Sequence, residues 1–117
     1  MTSALHHISI ICSSNSSLSF YEKLGFQEFF RKNRGYDTVV LMEGNGTRLE
    51  VYIDPNHPPR SASPENLGIR HFSLKVEDFK KTISKLGLPD EQIRYDWFGQ
   101  QYCFIEDPDG LPIQLHE

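Results

Sequence analysis

Residues 5–26, LHHISIICSSNSSLSFYEKLGF, pass from an alternating apolar segment into a segment with helical spacing, and residues 69–88, IRHFSLKVEDFKKTISKLGL, follow the same order. With a short gap in the helical part, the alignment of the two stretches places His7 on His71. An internal repeat has to be recognised before any site is assigned, because it changes the interpretation of the whole chain. The alignment predicts two copies of one structural module.

A second pair of segments supports the duplication. Residues 46–52, GTRLEVY, align with residues 110–116, GLPIQLH, so that Glu50 falls on Gln114. His7 and His71 are 64 positions apart, and so are Glu50 and Gln114. Because two separate alignments give one offset, coincidence is a poor explanation, and we expect a pseudo-twofold relation between the modules.

The apolar pattern predicts the secondary structure of each module. Alternating or continuous apolar runs predict strands at residues 5–11, 26–32, 38–43, 47–53, 69–76, 100–106 and 111–117, with a weaker one at 92–97. Helical spacing predicts helices at 17–25 and 78–87, each ending at a glycine that can take the left-handed conformation of a C-cap. Ser13 to Ser17 and Asp78 offer side-chain oxygens to the backbone N–H groups at the helix starts.

The order of these elements predicts the fold class and the domain organisation. Strand, helix and three strands follow one another twice, which is an α+β arrangement of two βαβββ modules. The chain is long enough for one hydrophobic core, so we expect a single domain over residues 1–117. Its modules span about residues 1–54 and 68–117, and the segment DPNHPPRSASPENLG at 54–68 is the predicted linker.

Composition excludes several classes of function. The net charge is −4 and the twelve Lys and Arg residues are scattered, so we expect no binding to nucleic acid or to a membrane surface. The N-terminus lacks the pattern of a signal peptide and no apolar run is long enough to span a bilayer, which predicts a cytoplasmic protein. Cys12 and Cys103 lie in apolar segments without CxxC spacing, so buried free thiols are expected rather than a disulfide or a zinc site.

Strand alternation identifies candidate functional residues. In each module the apolar positions of the first and last strands fall on one face, and polar residues fall on the other. That polar face carries His7 and Glu50 in the first module and His71 and Gln114 in the second. Imidazole and carboxylate groups bind divalent transition metals, and an amide oxygen can complete such a site.

These motifs resemble the vicinal oxygen chelate superfamily, the group of glyoxalase I, bleomycin resistance proteins and extradiol dioxygenases. The resemblance covers essentially the whole chain and rests on HISIICSSNSSLSFYEKLGF, GTRLEVYI, GIRHFSLKVEDF and FIEDPDGLPIQLHE. Short bacterial lactoylglutathione-lyase-like proteins are the most similar members. The resemblance implies paired βαβββ modules that form a cupped mixed sheet, with helices on its outer face and a divalent ion held by the sheet.

The resemblance also implies a site and an activity. The four ligand positions of the family fall on His7, Glu50, His71 and Gln114, and the ion is Zn, Ni, Co, Mn or Fe. Many relatives carry Glu at the position of Gln114, so Glu50 alone would act as the base in a glyoxalase I type reaction on a small molecule with two neighbouring oxygens. A non-haem iron dioxygenase and a metal-free drug- or metabolite-binding protein are the alternatives. Members of this size are expected to form homodimers, and the ligands can come from one chain or from two.

Other residues near the predicted site have two interpretations. Arg48 and Tyr52 share the face of Glu50 and are candidate substrate-binding residues. The aromatic residues of the second module are predicted to pack in the core and on the sheet, with a substrate-pocket wall as the alternative; they are Tyr95, Trp97, Phe98, Tyr102 and Phe104. His6, His57 and His116 are expected at the surface or at the pocket edge.

Overall fold

The computed structural model describes residues 1–61 and 63–117, which fall into two units, Met1–Pro59 and Arg60–Glu117. All residues of the first unit are described. Its elements are β1 (Ile8–Cys12), α1 (Ser16–Lys23), β2 (Gln27–Asn33), β3 (Thr38–Gly44) and β4 (Thr47–Ile53). The four strands form one sheet in the order β1-β4-β3-β2, in which β1 runs parallel to β4 and the other neighbours are antiparallel.

Two tight connections hold the first unit in this arrangement. Asn45 and Gly46 both have positive φ, 48° and 82°, which is the conformation of the two-residue turn that joins antiparallel strands. Gly25 ends α1 with a φ of 98°, as predicted for a C-cap. Gly44 lies against that helix end, since a Cβ atom on Gly44 would meet the Gly25 carbonyl oxygen at 2.6 Å. The return of the chain from α1 to the sheet therefore requires glycine at Gly44.

The core of the first unit follows the predicted apolar faces. Its buried apolar side chains come from β1, α1, β3 and β4 and from a residue that follows α1; they are Ile10, Cys12, Leu18, Tyr21, Phe26, Val40, Met42, Leu49 and Val51. The rings of Tyr21 and Phe26 meet edge to face with their centroids 6.4 Å apart. Alternation along β1 and β4 thus sends one set of side chains into the core and leaves Ser9 and Glu50 on the opposite face.

Residues 63–117 of the second unit repeat this topology. The elements are β5 (Phe72–Lys75), α2 (Phe79–Lys85), a short 3₁₀ turn (Asp90–Gln92), β6 (Arg94–Tyr95), β7 (Gln101–Glu106) and β8 (Pro112–His116). The sheet order is β5-β8-β7-β6, with β5 parallel to β8. Ser73 pairs with Gln114, as Ser9 pairs with Glu50 in the first unit, so the strand register reproduces the offset in the sequence. The predicted α+β class with two βαβββ modules is confirmed.

The second unit has a smaller core and one defined helix cap. Phe79, Ile83, Cys103, Ile113 and Leu115 are buried. The Asp78 carboxylate accepts a hydrogen bond from the Lys81 backbone N–H at 3.4 Å, as the N-cap prediction requires. At the start of α1, Asn15 makes no side-chain cap, and the Ser16 N–H donates instead to Ser14 Oγ at 3.3 Å.

Several details differ from the prediction. β1 and β5 begin at Ile8 and Phe72, one residue after His7 and His71, so the two histidines precede the strands rather than lie within them. The prediction that the aromatic residues of the second module pack in the core and on the sheet is wrong for Tyr95, Trp97 and Phe98, which are exposed. The Phe104 ring is 41% exposed but packs on the sheet against the Tyr102 ring. Trp97 and Phe98, 98% and 87% exposed, lie in the loop between β6 and β7 and therefore outside the strands of the sheet. The predicted linker includes Ala62, which lies outside the described residues.

The structure also shows where the two cysteines lie and how long the helices are. Neither Cys12 nor Cys103 forms a disulfide, and both are buried, as expected. Burial raises the pKa of the Cys103 thiol, which keeps it protonated and unreactive. Within the part of the chain that the structure describes, no helix has the length and apolar character needed to cross a bilayer.

Candidate metal site

The first half of the predicted site is a histidine–carboxylate pair. Glu50 lies in β4 opposite Ser9 of the neighbouring β1, and His7 precedes Ser9 by two residues. Alternation therefore puts the His7 and Glu50 side chains on the same face of the sheet. Their closest atoms, His7 Nε2 and Glu50 Oε2, are 2.9 Å apart, and the two side chains keep 33% and 20% of their surface exposed.

Two further side chains complete the surroundings of this pair. The Tyr52 hydroxyl donates a hydrogen bond to Glu50 Oε1 at 3.3 Å. The Nδ1 atoms of His6 and His7 are 2.8 Å apart, and one of these rings must donate to the other. Both carboxylate oxygens of Glu50 and both ring nitrogens of His7 therefore have partners, which fixes the orientation of the pair.

The two predicted substrate-binding residues lie beside this pair in β4. The Arg48 guanidinium is positioned over the Phe29 ring, 5.0 Å from its centroid. The Tyr52 ring lies under the guanidinium of Arg34, whose central carbon is 5.2 Å from the ring centroid. Arg48 and Tyr52 share the face of Glu50, and their binding role stays a prediction.

The second half of the predicted site lacks a comparable pair. Gln114 of β8 lies opposite Ser73 on one side and Phe104 of β7 on the other. The His71 ring packs edge-on against Phe104, with ring centroids 4.8 Å apart. Over residues 1–61 and 63–117, no hydrogen bond joins the Gln114 side-chain amide to another residue. His71 and Gln114 thus face the same side of their sheet.

A cleft of about 390 Å³ adjoins His71 in the second unit. Its lining is mixed, with the His71 and Phe104 rings, apolar side chains from the segment before β5, and the charged residues Arg60, Glu65, Arg70 and Glu106. Arg70 is paired with Glu65 at 3.2 Å, and both side chains are mostly exposed. A cleft of this size is typical of small-molecule sites.

A second histidine–carboxylate pair lies in the same unit. His116 Nε2 is 3.0 Å from Asp96 Oδ2, and His116 Nδ1 is 3.0 Å from the Glu117 carbonyl oxygen. These two acceptors raise the pKa of His116, that of Glu117 being the stronger influence. Backbone N–H groups of Gln100 and Phe98, together with His116, lower the pKa of Asp96. The pair joins the end of β8 to the loop between β6 and β7.

The chemistry of the four predicted ligands fits a divalent transition metal. Imidazole nitrogen, carboxylate oxygen and amide oxygen are all donors that such ions accept. Two ligand atoms at about 2.1 Å from one ion and at a right angle to each other are separated by about 3 Å. The 2.9 Å between His7 Nε2 and Glu50 Oε2 matches that separation, so this pair can bind one ion without moving far.

The structure brings together some of the predicted residues and adds others. His7 and Glu50 are in contact, and His71 and Gln114 lie on one face of the second sheet. Sequence reasoning missed the contact of His6 with His7 and the position of Arg34 over Tyr52. His6 adjoins His7 in the sequence, which was an available signal, whereas no periodicity connects Arg34, in the turn between β2 and β3, with a residue of β4.

Comparison with known proteins identifies relatives along the whole chain. The model of the Glyoxalase/Bleomycin resistance protein/Dioxygenase superfamily matches residues 4–115. Uncharacterized protein YwkD of Bacillus subtilis is 37% identical, over 97% of this chain and 96% of its own. Uncharacterized protein YaeR of Escherichia coli is 34% identical, over 97% and 95%. The glyoxalase family protein from Enterococcus faecalis has a crystal structure with a TM-score of 0.86, 35% identity and 97% coverage of both chains.

More distant structures share the fold alone. Lactoylglutathione lyase from Agrobacterium tumefaciens superimposes with a TM-score of 0.68 at 19% identity, over 99% of this chain and 94% of that one. A variant of the fosfomycin resistance protein FosX from Listeria monocytogenes, complexed with Mn(II) and 1S,2S-dihydroxypropylphosphonic acid, has a TM-score of 0.72 at 15% identity, over 99% and 93%. At these identities, similarity of fold carries no information on substrate.

Proposed function

Because the chain belongs to the Glyoxalase/Bleomycin resistance protein/Dioxygenase superfamily, we propose that it is a metal-dependent enzyme of the glyoxalase I type. Its substrate is a small molecule whose two neighbouring oxygens bind the ion. The observation that carries the proposal is the contact of His7 with Glu50 at 2.9 Å, at the two positions that the repeat matches to His71 and Gln114. These four residues, from one chain or from two chains of a homodimer, hold the ion in this proposal.

The side chains of this protein have distinct roles in the proposed reaction. A divalent ion supplies a Lewis acid that polarises a substrate carbonyl. Glu50 is the only carboxylate of the four residues, and we assign to it the removal of the proton from the carbon beside that carbonyl. The contacts of Glu50 with His7 and Tyr52 hold the carboxylate in one orientation before the substrate binds. Gln114 has no basic group at neutral pH and serves as a ligand only.

The cleft beside His71 is the proposed entry for the substrate. Its volume of about 390 Å³ suits a small organic molecule, and the Phe104 ring offers an apolar contact surface. The substrate-binding role predicted for Arg48 and Tyr52, which share the face of Glu50, is part of the same proposal.

A non-haem iron oxygenase is the second candidate function. The observation in its favour is the donor set, since His7, His71 and Glu50 make up two histidines and one carboxylate, while Gln114 is a weaker, displaceable ligand. Such a site binds iron(II) and leaves positions open for substrate and oxygen. Oxygen consumption with a catechol substrate distinguishes this candidate from an isomerase.

The test of the proposed function pairs metal analysis with an activity assay. Protein purified without chelator is expected to contain stoichiometric divalent metal and to isomerise adducts of methylglyoxal with thiols. His57→Ala is the matched control for His7→Ala, because His57 also contacts a carboxylate, Asp54, at 3.2 Å outside the proposed site. The proposal is overturned if the purified protein contains no metal and its melting temperature does not change when Zn, Ni, Mn, Co or Fe(II) is added. That result would favour a drug- or metabolite-binding protein.

A further inference from the structure

Arg34 lies outside the four proposed ligands but belongs to the same group of contacts. It occupies the turn between β2 and β3, where its backbone N–H donates to the Asp37 carbonyl oxygen at 2.8 Å. Its guanidinium binds both oxygens of the Asp37 carboxylate, with Nε donating to Oδ1 at 2.6 Å. The Asp37 side chain that accepts this fork is only 8% exposed. A planar guanidinium held at two points has little rotational freedom.

The anchored guanidinium contacts two aromatic rings. Its central carbon lies 4.8 Å from the centroid of Tyr36 and 5.2 Å from that of Tyr52, within the range of cation–π attraction. Tyr52 in turn donates its hydroxyl hydrogen to Glu50 Oε1. A continuous series of contacts therefore runs from Asp37 through Arg34 and Tyr52 to Glu50.

We propose that Arg34 is a positioning residue that holds the Tyr52 ring, and through the Tyr52 hydroxyl the Glu50 carboxylate, in the orientation that meets His7. The contacts of Glu50 support this arrangement. Glu50 Oε2 is used by His7, so the remaining oxygen Oε1 is the one that Tyr52 controls. A tyrosine on a strand is otherwise free to rotate about two side-chain bonds, and the cation over its face restricts that rotation. The functional part of this inference rests on the proposed role of Glu50 as ligand and base.

The sequence supplies a matched control for Arg34. Arg31 also binds a carboxylate three residues away, Glu28, with Nε donating at 2.9 Å, and it lies in the adjoining strand β2. Among the described residues, Arg31 has no aromatic ring under its guanidinium. Arg31→Gln therefore removes the same charge and the same kind of ion pair without touching Tyr52.

The test uses the metal-free full chain first. The ¹⁵N chemical shifts of the His7 imidazole report its contact with Glu50, and we expect Arg34→Gln and Tyr52→Phe to change them while Arg31→Gln does not. Because Arg34 acts through the Tyr52 hydroxyl, the double variant should change them no more than Tyr52→Phe alone. Arg34→Lys, which keeps the charge but loses the fork, should restore part of the wild-type signal.

The second readout is the dissociation constant for Ni(II), measured by calorimetry. Arg34→Gln should weaken binding about tenfold, as is common when a group that orients a ligand is removed. Unchanged His7 signals in Arg34→Gln, or additive effects of the two substitutions, would show that Arg34 only stabilises its turn and would overturn the inference. Absence of nickel binding by the wild type, with the His7 shifts behaving as expected, overturns the proposed function and leaves the positioning role intact.

Discussion

Glu50 in the first unit and Gln114 in the second occupy the same position of the same strand, yet their surroundings differ. Each lies opposite a serine on the parallel neighbour, Ser9 or Ser73. Glu50 contacts His7 and Tyr52, whereas the Gln114 amide makes no hydrogen bond within the described residues, and His71 packs on Phe104 instead. The backbone of the duplicated module is thus retained, while the chemistry of its side chains has diverged.

This difference predicts unequal roles for the two units in the proposed function. The first presents an imidazole and a carboxylate in contact, whereas the second presents the Gln114 amide without a hydrogen bond among the described residues and the His71 imidazole beside a cleft. A divalent ion held by one carboxylate keeps more of its positive charge than one held by two, so it polarises a substrate more strongly but binds less tightly. The comparison predicts that substitutions in the first unit affect chemistry more than the matched substitutions in the second.

The largest expected effect is that of Glu50→Gln. Removing the only proposed base should lower the rate of isomerisation by about 10²- to 10⁴-fold, the usual contribution of a positioned general base. The kcat for a methylglyoxal–thiol adduct is the measurement. Full activity in Glu50→Gln would contradict the division of roles between the two units.

The histidines should show a smaller and more symmetric effect. His7→Ala and His71→Ala should each lose most of the bound divalent ion, and each should abolish the rise in melting temperature that added metal gives the wild type. The measurement is the metal content of His7→Ala and His71→Ala, with His57→Ala as the control. If either variant retains its metal, the histidine replaced in it is not a ligand.

Matched core substitutions compare the stability of the two units. Leu49 and Ile113 are equivalent in the repeat and are both fully buried, at 0% exposure. Leu49→Ala and Ile113→Ala should each lower the free energy of unfolding by about 2–5 kcal/mol, through lost burial and a residual cavity. Chemical denaturation with one transition for both variants indicates that the halves unfold together, whereas separate transitions would show that they unfold independently.

The smallest effect is expected at the pair of His116 and Asp96. The pKa of His116 is raised, so its contribution to stability is present below its ordinary pKa of about 6.5 and is lost as the pH rises through the raised value. The pKa of Asp96 is lowered, so its contribution is lost as the pH falls below about 4. The difference in melting temperature between wild type and His116→Asn should therefore be largest between about pH 4 and 6.5. A difference that grows above pH 7 would contradict this assignment.

Much of this arrangement could be predicted from the sequence, because it depends on alternation and on the repeat. The 64-residue offset predicts two equivalent modules, and the register of β5 with β8 repeats that of β1 with β4 at the same offset. Alternation cannot show contacts that cross from a turn to a strand, and for that reason the position of Arg34 over Tyr52 could not be predicted. The exposure of Trp97 could not be predicted either, since apolar character alone does not show that a loop has no neighbour to cover it.

The most direct test exchanges the two residues that distinguish the units. The double variant Glu50→Gln, Gln114→Glu moves the carboxylate to the other unit and keeps the total charge. It should still bind metal if Glu50 and Gln114 are equivalent ligands of one ion. We predict that Glu50→Gln alone loses nickel binding, that Gln114→Glu alone tightens it, and that the double variant regains an affinity within about tenfold of the wild type. A double variant that binds no more nickel than Glu50→Gln, measured by calorimetry on the metal-free proteins, would contradict a shared site built from both repeats.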